Sequence, residues 1–290
     1  MYEERNRETS PPPVLLPGSL CDARLWEAQK SALRAFDPLI LPDYGAARSI
    51  RDMALHVLDR APPVMALAGH AMGARVALEM ALISPERIAR LALLDTVTEQ
   101  PTTAEADGRQ AMLALGETQG IERLVDEWLA SRLGPAARDD AVFVERLTAM
   151  CASGGLVRYE AESAALLDRP DVRPLLAGIR CPTLVGVGRH NRLGMLERHE
   201  EIAAAIPGAK FVVFENCGHM SPAEAPEQVS AALLRWLEQD HFFNPRHPSG
   251  ENENDCEESG TIASERRQYR RIPAQPAGGP ERLSGCSGRI

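Results

Sequence analysis

From Val14 to about residue 95, short apolar runs alternate with longer segments of helical period, and this alternation leaves few folds open. VLLP (14–17), PLILP (38–42), VMALAG (64–69) and IARLALLD (88–95) are almost wholly apolar. Such continuous runs mark strands covered on both faces, as in parallel sheets. Between them lie helix-period segments at 23–36, 49–61 and 71–82, the second opened by a Ser49-x-x-Asp52 capping box. Alternation of this kind predicts β-α-β units and a parallel sheet. The pattern resumes late in the chain. TLVGVG (183–188) and KFVVFE (210–215) are strands, a helix lies near 196–206, and a last helix opens at Ser221-x-x-Glu224 and runs to about Glu238. The expected class is α/β, with about six mostly parallel strands flanked by helices.

Residues 100 to about 176 interrupt this pattern. Segments near 104–116, 121–132, 141–152 and 156–168 alternate apolar and charged faces at helical spacing, without strand signals. An all-helical insert of this kind is expected to cap the carboxyl edge of the sheet, where open α/β sheets bind ligands. The domain reading is a flexible arm at 1–12, one domain at 13–240 with the cap inserted at 100–176, and a tail at 241–290. The tail joins an acidic block, a basic block and a Pro/Gly/Ser-rich end, a composition too poor in apolar surface to order itself.

Charge narrows the partners. A net charge of −9 argues against general binding to nucleic acid or anionic membrane, because phosphate neutralisation needs basic surface. No apolar run approaches the roughly 18 residues of a membrane span. The first dozen residues contain no apolar core of a secretory signal. The six cysteines show no C-x-x-C or other metal-ligand spacing. The expectation is a cytoplasmic protein with reduced thiols, no metal and no cofactor.

The most informative stretch is Leu67-Ala68-Gly69-His70-Ala71-Met72-Gly73-Ala74, which ends an apolar strand and opens an apolar helix. A strand–turn–helix of this sharpness needs small residues, because the helix must start close against neighbouring strands. Gly69 and Gly73 meet that need. Together with LLPGSLCDARLW, LPDYG, RLALLDT, CPTLVGVGR and CGHMSPAEAPEQV, the stretch makes residues 14–239 resemble α/β-hydrolases of the serine esterase type, whose elbow reads G-H-S-M-G.

The resemblance implies roles residue by residue. Ala71 stands at the nucleophile position, Asn191 (in Gly188-Arg189-His190-Asn191) at the acid position, and His219 (in Cys217-Gly218-His219-Met220) at the base position. The oxyanion donors would be the backbone N–H groups of Ser19 and Met72. Asp95, at the end of an earlier strand, is an alternative acid, because some relatives place it there; it also fits a turn cap ahead of Thr96. Asn191 in the acid's place is expected to hold the imidazole in the wrong tautomer.

An alanine methyl cannot attack a carbonyl, so the leading expectation is a protein resembling small-molecule ester or acyl hydrolases but impaired as a serine hydrolase. Two alternatives stand beside it. One is a nucleophile-free proton-transfer enzyme using His219 with Asp95. The other is a non-catalytic binder of an apolar small molecule. The expected partner in each case is a small apolar or ester-type molecule.

Overall fold

The structure is a computed structural model and describes residues 11–41, 43–193 and 195–238. The tail at 241–290 and most of the N-terminal arm lie outside the described residues. Six strands form one sheet: β1 (Pro13–Leu16), β2 (Leu39–Ile40), β3 (Met65–His70), β4 (Ile88–Leu94), β5 (Thr183–Gly188) and β6 (Lys210–Phe214). Their order is β2-β1-β3-β4-β5-β6, and every pairing is parallel. The chain winds one way from β1 to β2 and the other way from β3 onward. The loops after β1 and β3 therefore part at the carboxyl edge and leave a crevice between them, the usual ligand position in open α/β sheets.

The strand side chains divide between two cores. Val14, Leu16, Met65, Leu67, Leu91, Leu93 and Val185 face one. Leu15, Ala66, Ala68, Ala92, Leu94 and Leu184 face the other. The first core is closed by helices α2 (Ile50–Arg60), α3 (Met72–Ile83) and α9 (Leu196–Ala205), through residues such as Met53, Val57, Val76, Met80 and Ile202. The second is closed by α11 (Pro226–Glu238) and by Leu25, Trp26 and Leu33, which flank α1 (Glu27–Ala32). Helix α3 is buried from Met72 through Ala81. Both faces of the sheet are thus covered, which accounts for the unbroken apolar runs of the strands.

Between β4 and β5 the chain forms α4 (Thr103–Gln119), α5 (Ile121–Ala130), α6 (Pro135–Arg138), α7 (Ala141–Ala152) and α8 (Gly155–Leu167). Leu124, Trp128, Leu147, Met150 and Tyr159 from these helices join the second core. Ion pairs and backbone bonds add to that packing. Arg169 joins Glu105 of α4 at 2.6 Å, and Arg109 joins the same carboxylate at 3.0 Å.

Three local expectations are corrected. The helix expected over 23–36 is broken into 3-10 turns at Ala23–Trp26 and Arg34–Phe36 on either side of α1. The strand at 38–42 contracts to two half-buried residues at the sheet edge. Ser221 does not cap the last helix: among the described residues its hydroxyl makes no hydrogen bond of good geometry, and α10 (Ser221–Glu224) ends before α11 begins. The Glu224 carboxylate instead reaches back to the N–H of Met220, at 2.9 Å. By contrast, Ser49 does cap α2, accepting from the Asp52 N–H at 3.0 Å.

Candidate active site

The turn between β3 and α3 is tight because two backbones meet in it. A β-carbon on Gly69 would lie 2.3 Å from the Gly73 carbonyl oxygen, and one on Gly73 would lie 2.3 Å from that of Leu16. Only glycine fits either position. Between them Ala71 sits at φ 51°, ψ −112°, a conformation that costs a residue with a β-carbon about 1–3 kcal/mol. The surrounding bonds hold it there. Its N–H donates to the Leu94 carbonyl at 2.8 Å, and its own carbonyl accepts from the Thr96 hydroxyl at 3.0 Å and from the N–H groups of Ala74 and Arg75. Among the described residues five non-glycines have positive φ, and Leu20, Ala71 and Asp95 among them follow β1, β3 and β4 at the same sheet edge.

Opposite the elbow lies the loop Pro17–Cys21. The Tyr44 hydroxyl donates to the Pro17 carbonyl at 2.6 Å, and the Cys21 N–H closes a turn onto Gly18 at 3.1 Å. Glu162 of α8 fixes the loop from the helical insert: its Oε2 accepts from the Ser19 hydroxyl at 2.8 Å and the Leu20 N–H at 2.7 Å. Arg158 neutralises Glu162 through Oε1 at 2.7 Å and also donates to the Cys21 carbonyl. The backbone N–H groups of Ser19 and Met72 make no hydrogen bond among the described residues.

His219 follows β6 in a turn held by backbone. Glu224 gathers the N–H groups of Gly134, Gly218 and Met220 at 2.7–2.9 Å, so one carboxylate ties this turn to the helical insert. The His219 N–H donates to the Arg132 carbonyl at 2.8 Å. Its carbonyl lies 2.7 Å from His70 Nε2, which must therefore carry a proton. Burial lowers the His70 pKa to about 4, so that ring is neutral and its unpaired Nδ1 faces Gly18. Burial first, then the neighbouring His70 and the Arg132 charge, hold His219 well below the ordinary histidine range. It is a neutral imidazole near pH 7.

Asn191, Asp95 and His219 come together in a chain rather than a direct pair. Asn191 Nδ2 donates to Asp95 Oδ1 at 3.0 Å, and Asn191 Oδ1 lies 3.3 Å from His219 Nδ1. The Leu193 N–H also donates to Asn191 Oδ1, at 3.1 Å. Turning the amide over would set NH₂ against that N–H and oxygen against the carboxylate, so the network fixes its direction. The oxygen therefore faces His219, Nδ1 carries the proton, and Nε2 keeps its lone pair. The wrong tautomer expected from an asparagine here is overturned by these two flanking bonds.

Asp95 does not hydrogen-bond His219, and it is not a cap ahead of Thr96. Its Oδ1 also accepts the Gly188 N–H at 2.9 Å, while Oδ2 is buried without a well-formed partner. Burial pushes its pKa up to about 7, opposed by the Ser221 hydroxyl, the Gly188 N–H and the Asn191 amide. Ser221 is near enough to oppose the rise but makes no hydrogen bond of good geometry. The 3.9 Å approach of His70 to Asp95 is not an ion pair, since that ring is neutral. His190 is exposed, and Asp43 accepts from the Gly45 N–H within its own turn.

The sequence offered no sign of Glu162, which is 143 residues from Ser19. It marked Glu224, but for a capping box rather than for the three N–H groups it binds. Among the described residues no cluster of His, Cys, Asp and Glu could hold a metal ion, and no helix is long and apolar enough to cross a membrane.

Residues 14–232 match the model of the alpha/beta hydrolase family. The chain belongs to that family. It is 27% identical over 246 residues to the proposed carbamate hydrolase RutD of Pseudomonas savastanoi pv. phaseolicola, covering 77% of this chain and 92% of that one. A thermophilic esterase from Thermogutta terrifontis superposes with a TM-score of 0.72 at 26% identity, over 79% of this chain and 90% of the esterase. The enol-lactonase of Burkholderia xenovorans LB400 shares the fold, with a TM-score of 0.71 at 22% identity over 80% and 92% of the two chains.

Proposed function

We propose that this chain is built on the framework of a small-molecule ester or acyl hydrolase and binds such compounds without turning them over by the serine route. The conformation of Ala71 carries the reading. A strained elbow, flanked by two positions where only glycine fits, exists to project one side chain from a sheet edge, and here that side chain is a methyl group. Without a hydroxyl at residue 71 no acyl-enzyme forms, a loss of roughly 10⁶ in rate where such serines are removed.

The rest of the framework supports the same reading. The free N–H groups of Ser19 and Met72 are the pair that would hold a carbonyl oxygen. His219 is the base, with Nε2 bare, and Asn191 positions it through an amide oxygen, as asparagine does in Cys-His-Asn proteases. Asp95 is a positioning residue one step further back, acting by accepting the Asn191 NH₂. Relatives named for carbamate and ester hydrolysis agree with an acyl compound as ligand. The proton-transfer alternative has less support, because Asn191 stands between Asp95 and His219.

The test is a screen of short-chain aryl and alkyl esters with the natural chain beside Ala71→Ser. The natural chain should show background hydrolysis and no labelling by a serine-directed phosphonate, whereas the variant should gain both. A variant as inert as its parent, in a protein that still folds, would sink the assignment of residue 71.

A further inference from the structure

In the loop Pro17–Cys21, Leu20 sits at φ 60° with its side chain fully buried, and a left-handed backbone is costly for a residue with a β-carbon. Other bonds must hold it there. The Tyr44 hydroxyl fastens Pro17, and the Cys21 N–H closes a turn onto Gly18. Neither engages Ser19 or Leu20. Among the described residues Glu162 is the sole hydrogen-bond partner of both, accepting from the Ser19 hydroxyl at 2.8 Å and the Leu20 N–H at 2.7 Å. One carboxylate oxygen thus fixes a side chain and the next peptide together. The Ser19 N–H is left over, with no hydrogen bond of its own among the described residues.

The carboxylate is itself held. Arg158, one turn earlier on α8, pairs with Glu162 Oε1 at 2.7 Å and donates to the Cys21 carbonyl, so the pair grips three consecutive residues of the loop. Both side chains are largely buried, and bonds to an ionised acceptor are the strong ones. Such a pair adds little net stability, because desolvation offsets its attraction. What it supplies here is direction. Released from Glu162, the Ser19 hydroxyl would turn to nearby backbone groups, as serine hydroxyls in turns do, and the Leu20 N–H would need another acceptor. Either change disturbs the peptide that carries the Ser19 N–H. The His219 turn depends less on its own glutamate, since backbone bonds to Arg132 and from His190 hold it as well.

We propose that Glu162, held by Arg158, is the positioning residue for the acyl oxygen: it fixes the loop Pro17–Cys21 so that the Ser19 N–H stays free to receive that oxygen, and it thereby makes acyl recognition depend on the helical insert. The acyl oxygen rests on the hydrolase reading above; the clamp on the loop does not.

Two measurements test this. The first is amide hydrogen exchange in the natural chain, which needs no turnover. Glu162→Ala should speed exchange at the Leu20 N–H at least roughly tenfold, the loss expected for a bond to a charged acceptor, while the strand amides keep their rates. Glu162→Gln, whose amide oxygen can still accept from that N–H, should lie between. The second is hydrolysis of p-nitrophenyl butyrate in the Ala71→Ser background, with active sites titrated by a phosphonate. There Glu162→Ala should lower kcat per titrated site at least roughly tenfold, since loss of an oxyanion donor costs about 10²–10³, with KM within about twofold. Glu162→Gln should recover most of that kcat. A merely structural Glu162 would lower Tm and the number of titrated sites and leave kcat per site unchanged, which would overturn the proposal. So would a Leu20 amide as slow in Glu162→Ala as in the natural chain. If Glu162→Ala does not fold, Arg158→Met with Glu162→Met removes the pair without orphaning a charge and should show the same two losses. If Ala71→Ser cleaves no ester while the Leu20 exchange responds as expected, the hydrolase reading fails and the clamp stands. If it cleaves the ester and neither exchange nor kcat per site responds to Glu162→Ala, the reverse holds.

Discussion

The two ends of this site are held by different means. At the elbow the constraint lies in backbone: a β-carbon on Gly69 or Gly73 would clash with a backbone carbonyl, and Ala71 is held at a strained φ, while its side chain is a bare methyl group. Around Asn191 the constraint lies in side chains: its bonds to Asp95 and from the Leu193 N–H turn its Oδ1 toward His219 Nδ1, the position the hydrolase reading gives to the acid. A function written into backbone is expensive to erase, because the fold around it depends on the same bonds. A function written into side chains can be lost by one substitution or redistributed over several.

The largest expected effect separates these two cases at the elbow. If backbone and base are intact, Ala71→Ser alone should raise ester hydrolysis by about 10³-fold or more, without repair of Asn191. Assay of the single variant beside Ala71→Ser with Asn191→Asp decides it; a gain seen only in the double variant would mean that the acid end is broken after all. Next comes the backbone itself. Gly73→Ala would drive a methyl to 2.3 Å from the Leu16 carbonyl oxygen and 2.6 Å from that of Pro17. Overpacking against backbone should cost about 3 kcal/mol, a fall in Tm on the order of 10 °C. A variant melting within a degree or two of the parent would show that the elbow is looser than these distances imply.

The same contrast explains what could be read from the chain alone. Strand and helix positions followed from apolar runs and helical period, and Gly69, Gly73 and the parallel sheet followed from their spacing, since these features are local. The direction of the Asn191 amide was not legible. It depends on Asp95, which is 96 residues away, and on the Leu193 N–H, so a rule based on residue type alone gave the wrong tautomer. Glu162 went unnoticed for the same reason: it is defined by the partners that tertiary packing supplies, the Ser19 hydroxyl and the Leu20 N–H. Ser221-x-x-Glu224 misled because its spacing suits a capping box, while the Glu224 carboxylate is used up on Gly134, Gly218 and Met220.

The acid end should respond to pH in a way the elbow does not. Asn191→Asp would set two buried carboxylates where an amide and a carboxylate now lie 3.0 Å apart, and like charges so close share a proton. The shared proton raises a folded-state pKa, so the variant's stability is full at low pH and falls as pH rises. Melting at pH 6 and pH 9 should show a steeper loss than in the natural chain, and the exchange Asp95→Asn with Asn191→Asp should cancel it. A flat profile for the single variant would mean that Asp95 is not where the relay needs it. Asp95 in the natural chain works in the same sense, more weakly. With its pKa raised to about 7, its contribution is present below the ordinary carboxylate range and is lost as pH rises through 7. His70 and His199, lowered to about 4, contribute above the ordinary histidine range and lose that contribution as pH falls through 4. The two trends oppose each other between those limits, so Asp95→Asn should raise Tm at pH 8 and leave the acid side of the profile unchanged.

The smallest effect is the most direct test of strain. Ala71 gains nothing chemical from its position, so replacing it by glycine removes only a methyl group and the penalty for φ 51°, ψ −112°. Relief of about 1–3 kcal/mol is partly offset by the extra freedom of glycine in the unfolded chain, about 0.5–1 kcal/mol. The net gain of about 1 kcal/mol corresponds to a rise of roughly 2–4 °C in Tm for a domain of this size. Calorimetry on Ala71→Gly and Ala71→Ser together sharpens the point, because serine restores the side chain without relieving φ and should leave Tm nearly unchanged. If glycine lowers Tm instead, the bonds from Leu94, Thr96, Ala74 and Arg75 hold an unstrained turn, and the elbow would carry no more imprint of a nucleophile than any other β-α connection.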